Sequence, residues 1–230
     1  MSLLEFRKVS LKDGARTLMR GLDVALEAGE RLVVFGPSGS GKRAFLKMAA
    51  GVLEPDSGTV TLSGPRPGRP APIGYVTNEG GLISNLTLVQ NAALPAVYHR
   101  LLAPGEAEER ARTLLREWGH GAAADLRPSM ASVAAQRLAQ FARALLIEPA
   151  LFVLDTPLED VDAENARTIR KVLGRIREEG RSAVLGTGSL SPYLDWGGRF
   201  LMLHEGRARF FADKAGLLKD EDPALRVFLQ

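Results

Sequence analysis

The stretch that most limits what this chain can fold into runs from Leu32 to Lys42. Leu32-Val33-Val34-Phe35 is a continuous apolar run, the composition of a strand buried on both faces of a parallel sheet. It stops at Gly36, and Gly36-Pro37-Ser38-Gly39-Ser40-Gly41-Lys42 fits the pattern GxxxxGK. Helical character follows from Ala44 to Val52. A glycine-rich turn between a buried strand and a helix start is the context in which this pattern holds phosphate. Glycines let the backbone curl until several N–H groups point inward; the helix start adds positive dipole, and Lys42 adds a full charge for β- and γ-phosphates. Residues 36–42 are therefore candidate binding residues for a phosphorylated cofactor. The next position departs from the pattern. A Ser or Thr hydroxyl normally binds Mg²⁺ there, and this chain has Arg43. A guanidinium cannot ligate a cation and repels it; even if Arg43 points to solvent, the hydroxyl is missing.

Around this segment, residues 3–11 and 20–27 alternate as half-buried strands do, Gly58 to Ser63 reads as a strand, and Ile73 to Val76 as another. A Pro/Gly loop, Gly64 to Pro70, separates the last two. From about 87 to 149 the pattern turns helical, with apolar residues three and four apart over 88–101, 107–118 and 133–147. The chain then returns to strands at 151–154, 183–185 and 200–203, with a helix over 163–178. Strands alternating with helices predict a mainly parallel sheet in an α/β architecture.

Composition narrows the function classes. At 230 residues, 45% hydrophobic and 25% charged, the chain has the balance of a globular protein with a core of its own. It has no cysteine, which excludes disulfides and thiolate metal sites. The net charge is +3 and the arginines are scattered singly, so no electrostatic footprint for nucleic acid is present. Glu5, Arg7 and Lys8 interrupt the amino-terminal stretch, and no apolar run approaches the ~18 residues of a membrane span. Any membrane role is expected to be played through a partner.

A second landmark lies downstream: Arg143-Ala144-Leu145-Leu146-Ile147-Glu148-Pro149, then Leu151-Phe152-Val153-Leu154-Asp155-Thr156-Pro157, then Asp162. With the glycine loop, this succession resembles the ATP-binding cassette of ABC transporters over essentially the whole chain. The resemblance implies a single cassette over 1–230: a P-loop NTPase core of ABC type at about 1–86 and 150–230, with an antiparallel β subdomain and an inserted helical subdomain at about 87–149. It implies ATP and Mg²⁺ as cofactors, a transmembrane permease and a second cassette as partners, and a place on the cytoplasmic face of the cell membrane. Asn91 to Pro95 and Asp222 to Leu229 are most similar to the ATPases of MCE-type bacterial lipid transporters.

The departures from the family pattern fall on its chemistry. Asp155 stands at the Walker B aspartate that holds Mg²⁺, but Thr156 occupies the position of the catalytic glutamate. Asn78 stands for the Q-loop glutamine and Gly188 for the switch histidine. Ala131-Ser132-Val133-Ala134-Ala135 corresponds to the signature; Ser132 remains and both glycines are gone. The aromatic that stacks on adenine falls near Lys12 or Asp13. Losing a general acid–base group alone costs about 10²- to 10⁴-fold, and losing the metal removes further charge stabilisation. Of the candidate substitutes, Glu159 lies beyond Pro157 and Glu79 neighbours Asn78. The expectation is ATP bound weakly if at all, Mg²⁺ not bound, no intact catalytic residue, and Arg43 paired with Asp155. Three readings stay open: a scaffold subunit without hydrolysis, a slow transport ATPase working alone or beside an active cassette, and a binding module outside transport. The docking groove for a permease is expected near Leu82, Ile83, Leu86 and Leu88.

Overall fold

The computed structural model describes residues 2–63, 72–78 and 80–229. Its strands are β1 (Leu4–Asp13), β2 (Arg16–Leu26), β3 (Arg31–Phe35), β4 (Ser57–Leu62), β5 (Ile73–Val76), β6 (Leu151–Asp155), β7 (Ala183–Thr187), β8 (Arg199–His204) and β9 (Arg207–Phe211). Its helices are α1 (Lys42–Ala49), α2 (Leu88–Tyr98), α3 (Pro104–Glu117), α4 (Val133–Leu146), α5 (Ala163–Glu178), α6 (Lys214–Lys219) and α7 (Pro223–Arg226). The fold is α/β, with a mainly parallel sheet and a separate antiparallel one. Two sheets are present among the described residues, ordered β2-β1-β4 and β5-β6-β7-β3-β8-β9. Contacts divide the chain into two compact units: Met1–Ala71 with Val153–Thr156 and Ile176–Gln230, and Pro72–Phe152 with Pro157–Arg175.

In the first unit β1 pairs antiparallel with both β2 and β4. Leu4 and Phe6 face inward by simple alternation, which would then turn Lys8 inward. Lys8 instead takes φ 47 and gives its amide to Asp23 Oδ1 at 2.8 Å. The resulting bulge resets the phase so that Val9 and Leu11 are buried in turn. Phe6 stacks on Phe45 of α1 with ring centroids 4.4 Å apart, fixing the small sheet to the helix behind the glycine loop. In the larger sheet β3 runs parallel to β7 and β8, and β8 turns back antiparallel into β9. That last turn uses Glu205 at φ 50 and Gly206 at φ 73, the left-handed pair a two-residue hairpin needs.

The second unit is helical from α2 to α4, with no strand between residues 87 and 149 among the described residues. Thr87 opens α2 with a capping box: its hydroxyl accepts from Gln90 N, and the Gln90 side chain accepts from Thr87 N. By its contacts this unit runs over Pro72–Phe152 and takes in Pro157–Arg175. Within it, Gln140 and Arg143 of α4 hold backbone groups of Tyr75, Thr77, Gly80 and Gly81. The Pro/Gly loop Gly64 to Pro70 lies outside the described residues.

Candidate functional site

In the first unit β3 delivers the glycine loop to the amino end of α1. Gly36 has φ 149, and a Cβ there would lie 2.1 Å from the Leu203 carbonyl of β8, so no other residue fits between the two strands. Gly39 (φ 73) and Gly41 (φ 100) complete the curl, with Ser40 N donating to Pro37 O at 3.1 Å and Phe45 N to Gly41 O at 2.8 Å. The Lys42 ammonium folds over the loop and donates to Gly36 O and Pro37 O, both at 2.8 Å. Pro37 is half-buried and Ser38 exposed at the crest. The Ser40 hydroxyl is buried beneath it with no hydrogen-bond partner among the described residues. One neighbour went unread in the sequence: the Arg16 guanidinium sits against Gly39, its Nη1 2.6 Å from where a Cβ would be.

Beside the loop, the carboxylate at the end of β6 meets the arginine at the start of α1. Arg43 Nε donates to Asp155 Oδ2 at 3.2 Å. The Asp155 side chain is only 7% exposed and that of Arg43 46%, so the carboxylate is the buried partner and the guanidinium its lid. Thr156 follows with φ 42 and its amide bonded to Gly186 O at 2.9 Å. A left-handed conformation is rare for a β-branched residue and stores strain. Gly188 lies exposed just past β7, at the tip of a turn closed by Thr187, whose hydroxyl donates to Ser189 O and accepts from Ser189 N. The residues present do not fit Mg²⁺. The expected hydroxyl is replaced by a fixed cation, and the expected carboxylate is engaged by that cation. The loop still fits phosphate through its backbone N–H groups and Lys42.

Asn78 and Ser132 belong to the second unit. Asn78 is bound at both ends of its amide: Nδ2 donates to Glu159 Oε2 at 2.7 Å, and Oδ1 accepts from Arg137 Nη2 at 2.5 Å. Arg137, on α4, is 2% exposed. Three residues on, the Gln140 amide accepts from Thr77 N at 2.7 Å and donates to Gly80 O at 3.1 Å. Three further on, Arg143 donates to the carbonyls of Gly81 and Tyr75, and burial pushes its guanidinium pKa down. Residues 137, 140 and 143 thus make a polar ridge along α4 that grips Tyr75, Thr77, Asn78, Gly80 and Gly81. The signal for it was in the sequence as an arginine and a glutamine set inside an apolar helical pattern. Glu159, one of the two candidate substitutes, is one end of this network, and Glu79 lies outside the described residues. Ser132 is the amino cap of α4, its hydroxyl accepting from Ala135 N at 3.2 Å. Val133 beside it is 47% exposed.

The four expected docking residues separate. Leu88 is fully buried inside α2's core face and is not available to a partner, whereas Ile83 is 45% exposed and Leu82 and Leu86 are partly buried. Asn91 shapes this turn: its amide accepts from Ile83 N and donates to the carbonyls of Ile83, Leu86 and Thr87.

With these features in place, comparison with known proteins is informative. The model of the ABC transporter family matches residues 19–159. The chain belongs to that family. It is an ATP-binding cassette of the kind found in transport systems. The cassette is 28% identical to the glutamine transport ATP-binding protein GlnQ of Escherichia coli (strain K12), over 99% of each chain. It is 30% identical to the sulfate/thiosulfate import ATP-binding protein CysA of Bradyrhizobium diazoefficiens, over 89% of this chain and 62% of that one. It is also 30% identical to the Fe(3+) ions import ATP-binding protein FbpC 1 of Rhodococcus jostii, over 89% of this chain and 60% of that one. The cassette therefore spans about three fifths of the sulfate and iron relatives. Among solved structures, the cassette MJ0796 in a dimeric post-hydrolysis state with ADP and phosphate superposes with TM-score 0.78 at 24% identity, over 90% of this chain and 97% of that one. No helix among the described residues is long and apolar enough to cross a membrane.

Proposed function

We propose that this cassette is a subunit of an ABC transporter that docks on a transmembrane permease, pairs with a second cassette and has lost Mg²⁺-dependent ATP hydrolysis. In this role it is a scaffold at the cytoplasmic face of the cell membrane. The observation that carries the proposal is the Arg43–Asp155 pair at the metal position. A cassette whose buried carboxylate is neutralised by its own arginine holds its phosphate loop without metal. Thr156 at the catalytic glutamate position, Gly188 at the switch histidine position and the engagement of Asn78 by Arg137 and Glu159 support the same reading. Val133 adds a β-branched side chain where a signature backbone would approach a partner's phosphate, which is a task for glycine. The dimeric state of the MJ0796 structure supports pairing with a second cassette.

A lipid cargo is the narrower proposal, resting on the likeness of residues 91–95 and 222–229 to MCE-type ATPases. Both stretches have internal work here: Asn91 closes the 83–87 turn, and Phe228 packs edge-on against Phe35 at 5.6 Å. The relatives named above are ATP-binding proteins of glutamine transport, sulfate/thiosulfate import and Fe(3+) import. The test is affinity purification of the tagged cassette from its own membranes, without nucleotide. A polytopic permease co-purifying in stoichiometric amount is the expected result. Recovery of the cassette with no integral membrane protein would contradict the scaffold.

A further inference from the structure

We propose that the glycine loop of this cassette binds an uncomplexed polyphosphate chain, without magnesium and without preference for a base. This rests on the reading that Arg43 holds the metal position. Three cations gather on the loop within the first unit: Lys42 folded over its carbonyls, Arg43 on Asp155, and Arg16 against Gly39. Asp155 lies against Arg43 and Asp13 faces Arg16 across the β1–β2 pair, so the three cations outnumber these two carboxylates before any metal arrives. A free di- or triphosphate supplies the missing negative charge. Lys42 can exchange two neutral carbonyls for anionic oxygens, which are the stronger acceptors. The buried Ser40 hydroxyl, unpartnered among the described residues, lies inside the loop as a further donor.

Magnesium works against this arrangement. A metal-bound triphosphate presents its cation where Arg43 already stands, and two positive charges at contact distance repel. The base end is equally altered. Arg16 and Asp13 face each other across the β1–β2 pair, and this hairpin reaches the loop with a guanidinium instead of an aromatic ring. A guanidinium there adds affinity for phosphate oxygens. It does little to separate adenine from no base at all.

The experiment is titration calorimetry on the full chain with ATP, ADP and inorganic tripolyphosphate, each in EDTA and in excess Mg²⁺. In EDTA, ATP and tripolyphosphate are expected to bind with Kd values within about threefold of each other, and Mg²⁺ to weaken both by about tenfold or more. Arg43→Ser should reverse the sign of the Mg²⁺ effect. Arg16→Gln should weaken tripolyphosphate about tenfold in EDTA while leaving the Mg²⁺ effect in place. Thermal unfolding of each variant shows whether it is folded; should Arg43→Ser fail to fold, Arg16→Gln and the unmodified chain still decide. Binding that requires Mg²⁺, or ATP binding without tripolyphosphate binding, would overturn the proposal. So would the absence of heat from every ligand in EDTA, an outcome that leaves the scaffold reading standing, because that reading fails on turnover or on recovery without a permease, and the titration reads neither.

Discussion

The proposed loss of hydrolysis turns on Arg43, which bears on the metal position in two ways. It deletes the hydroxyl that would hold Mg²⁺ and places a guanidinium on the carboxylate that would share the task. Restoring only the catalytic acid therefore changes little. Thr156→Glu alone is expected to show no turnover above background in a phosphate-release assay. Turnover should return only when Arg43→Ser accompanies it, with Val133→Gly and Ala134→Gly supplied to complete the facing site. Activity in the single Thr156→Glu variant would mean that the metal is not excluded. The pair also bears on stability. Arg43→Met removes a charged hydrogen bond from the buried carboxylate of Asp155, a cost of about 1–3 kcal/mol. Because Arg43 is half exposed, the lower end applies. Thermal unfolding should show the loss, and Arg43→Lys should recover part of it; a melting temperature unchanged by Arg43→Met would show the pair to be idle. Arg43 and Thr156 were legible in the sequence, since each breaks a motif with fixed spacing. Arg16 was not. It reaches the loop through a hairpin, and no local spacing announces that contact.

The ridge on α4 is a separate device. Arg137, Gln140 and Arg143 follow one another at three-residue intervals and hold a segment some sixty residues earlier in the chain. Gln140→Ala removes two bonds to backbone groups at a site buried in the helical unit, costing about 1–3 kcal/mol. Hydrogen exchange should report it locally: faster exchange at the Thr77 amide, with β3 and β7 unchanged. A uniform rise across the chain, or none, would contradict the ridge. Most elements were legible because their periodicity is strong, and β5 falls at Ile73–Val76 as expected. The edge strand β9 was missed. Four of its five residues are exposed, and its Arg209 is engaged by Asp220 and Asp222, so no alternation of apolar residues marks it. The short helices α6 and α7 were missed for the same reason. Each rests on an aspartate cap and one buried leucine, too little for a helical period to register.

Taken entire, the chain has the fold of an ABC transport cassette. Its acid sensitivity follows from surface carboxylates. Hydrogen bonds from the Asn165 backbone and side chain hold Asp162 below the usual carboxylate range, the Arg112 guanidinium does the same for Asp125, and the Lys214 ammonium for Asp195. A carboxylate depressed in the folded state lends stability that is present above its unfolded pKa and lost as pH falls through the folded one. Stability is therefore expected to be level around neutrality and to decline below about pH 4, by small amounts because all three groups face water. Asp162→Asn should shallow that decline in pH-resolved unfolding; an unchanged acid limb would contradict the assignment. Docking is tested at Ile83, the exposed member of the turn that Asn91 braces. Ile83→Asp should abolish co-purification with the permease and leave the unfolding free energy within about 0.5 kcal/mol of the parent, as for a surface change. A complex that survives the substitution would move the docking face elsewhere.

The most direct test of the central claim is phosphate release from the unmodified cassette assembled with its permease, measured with Mg²⁺-ATP in excess. The account predicts release indistinguishable from that of the Lys42→Ala variant of the same complex. Sustained release that depends on Lys42 would contradict it.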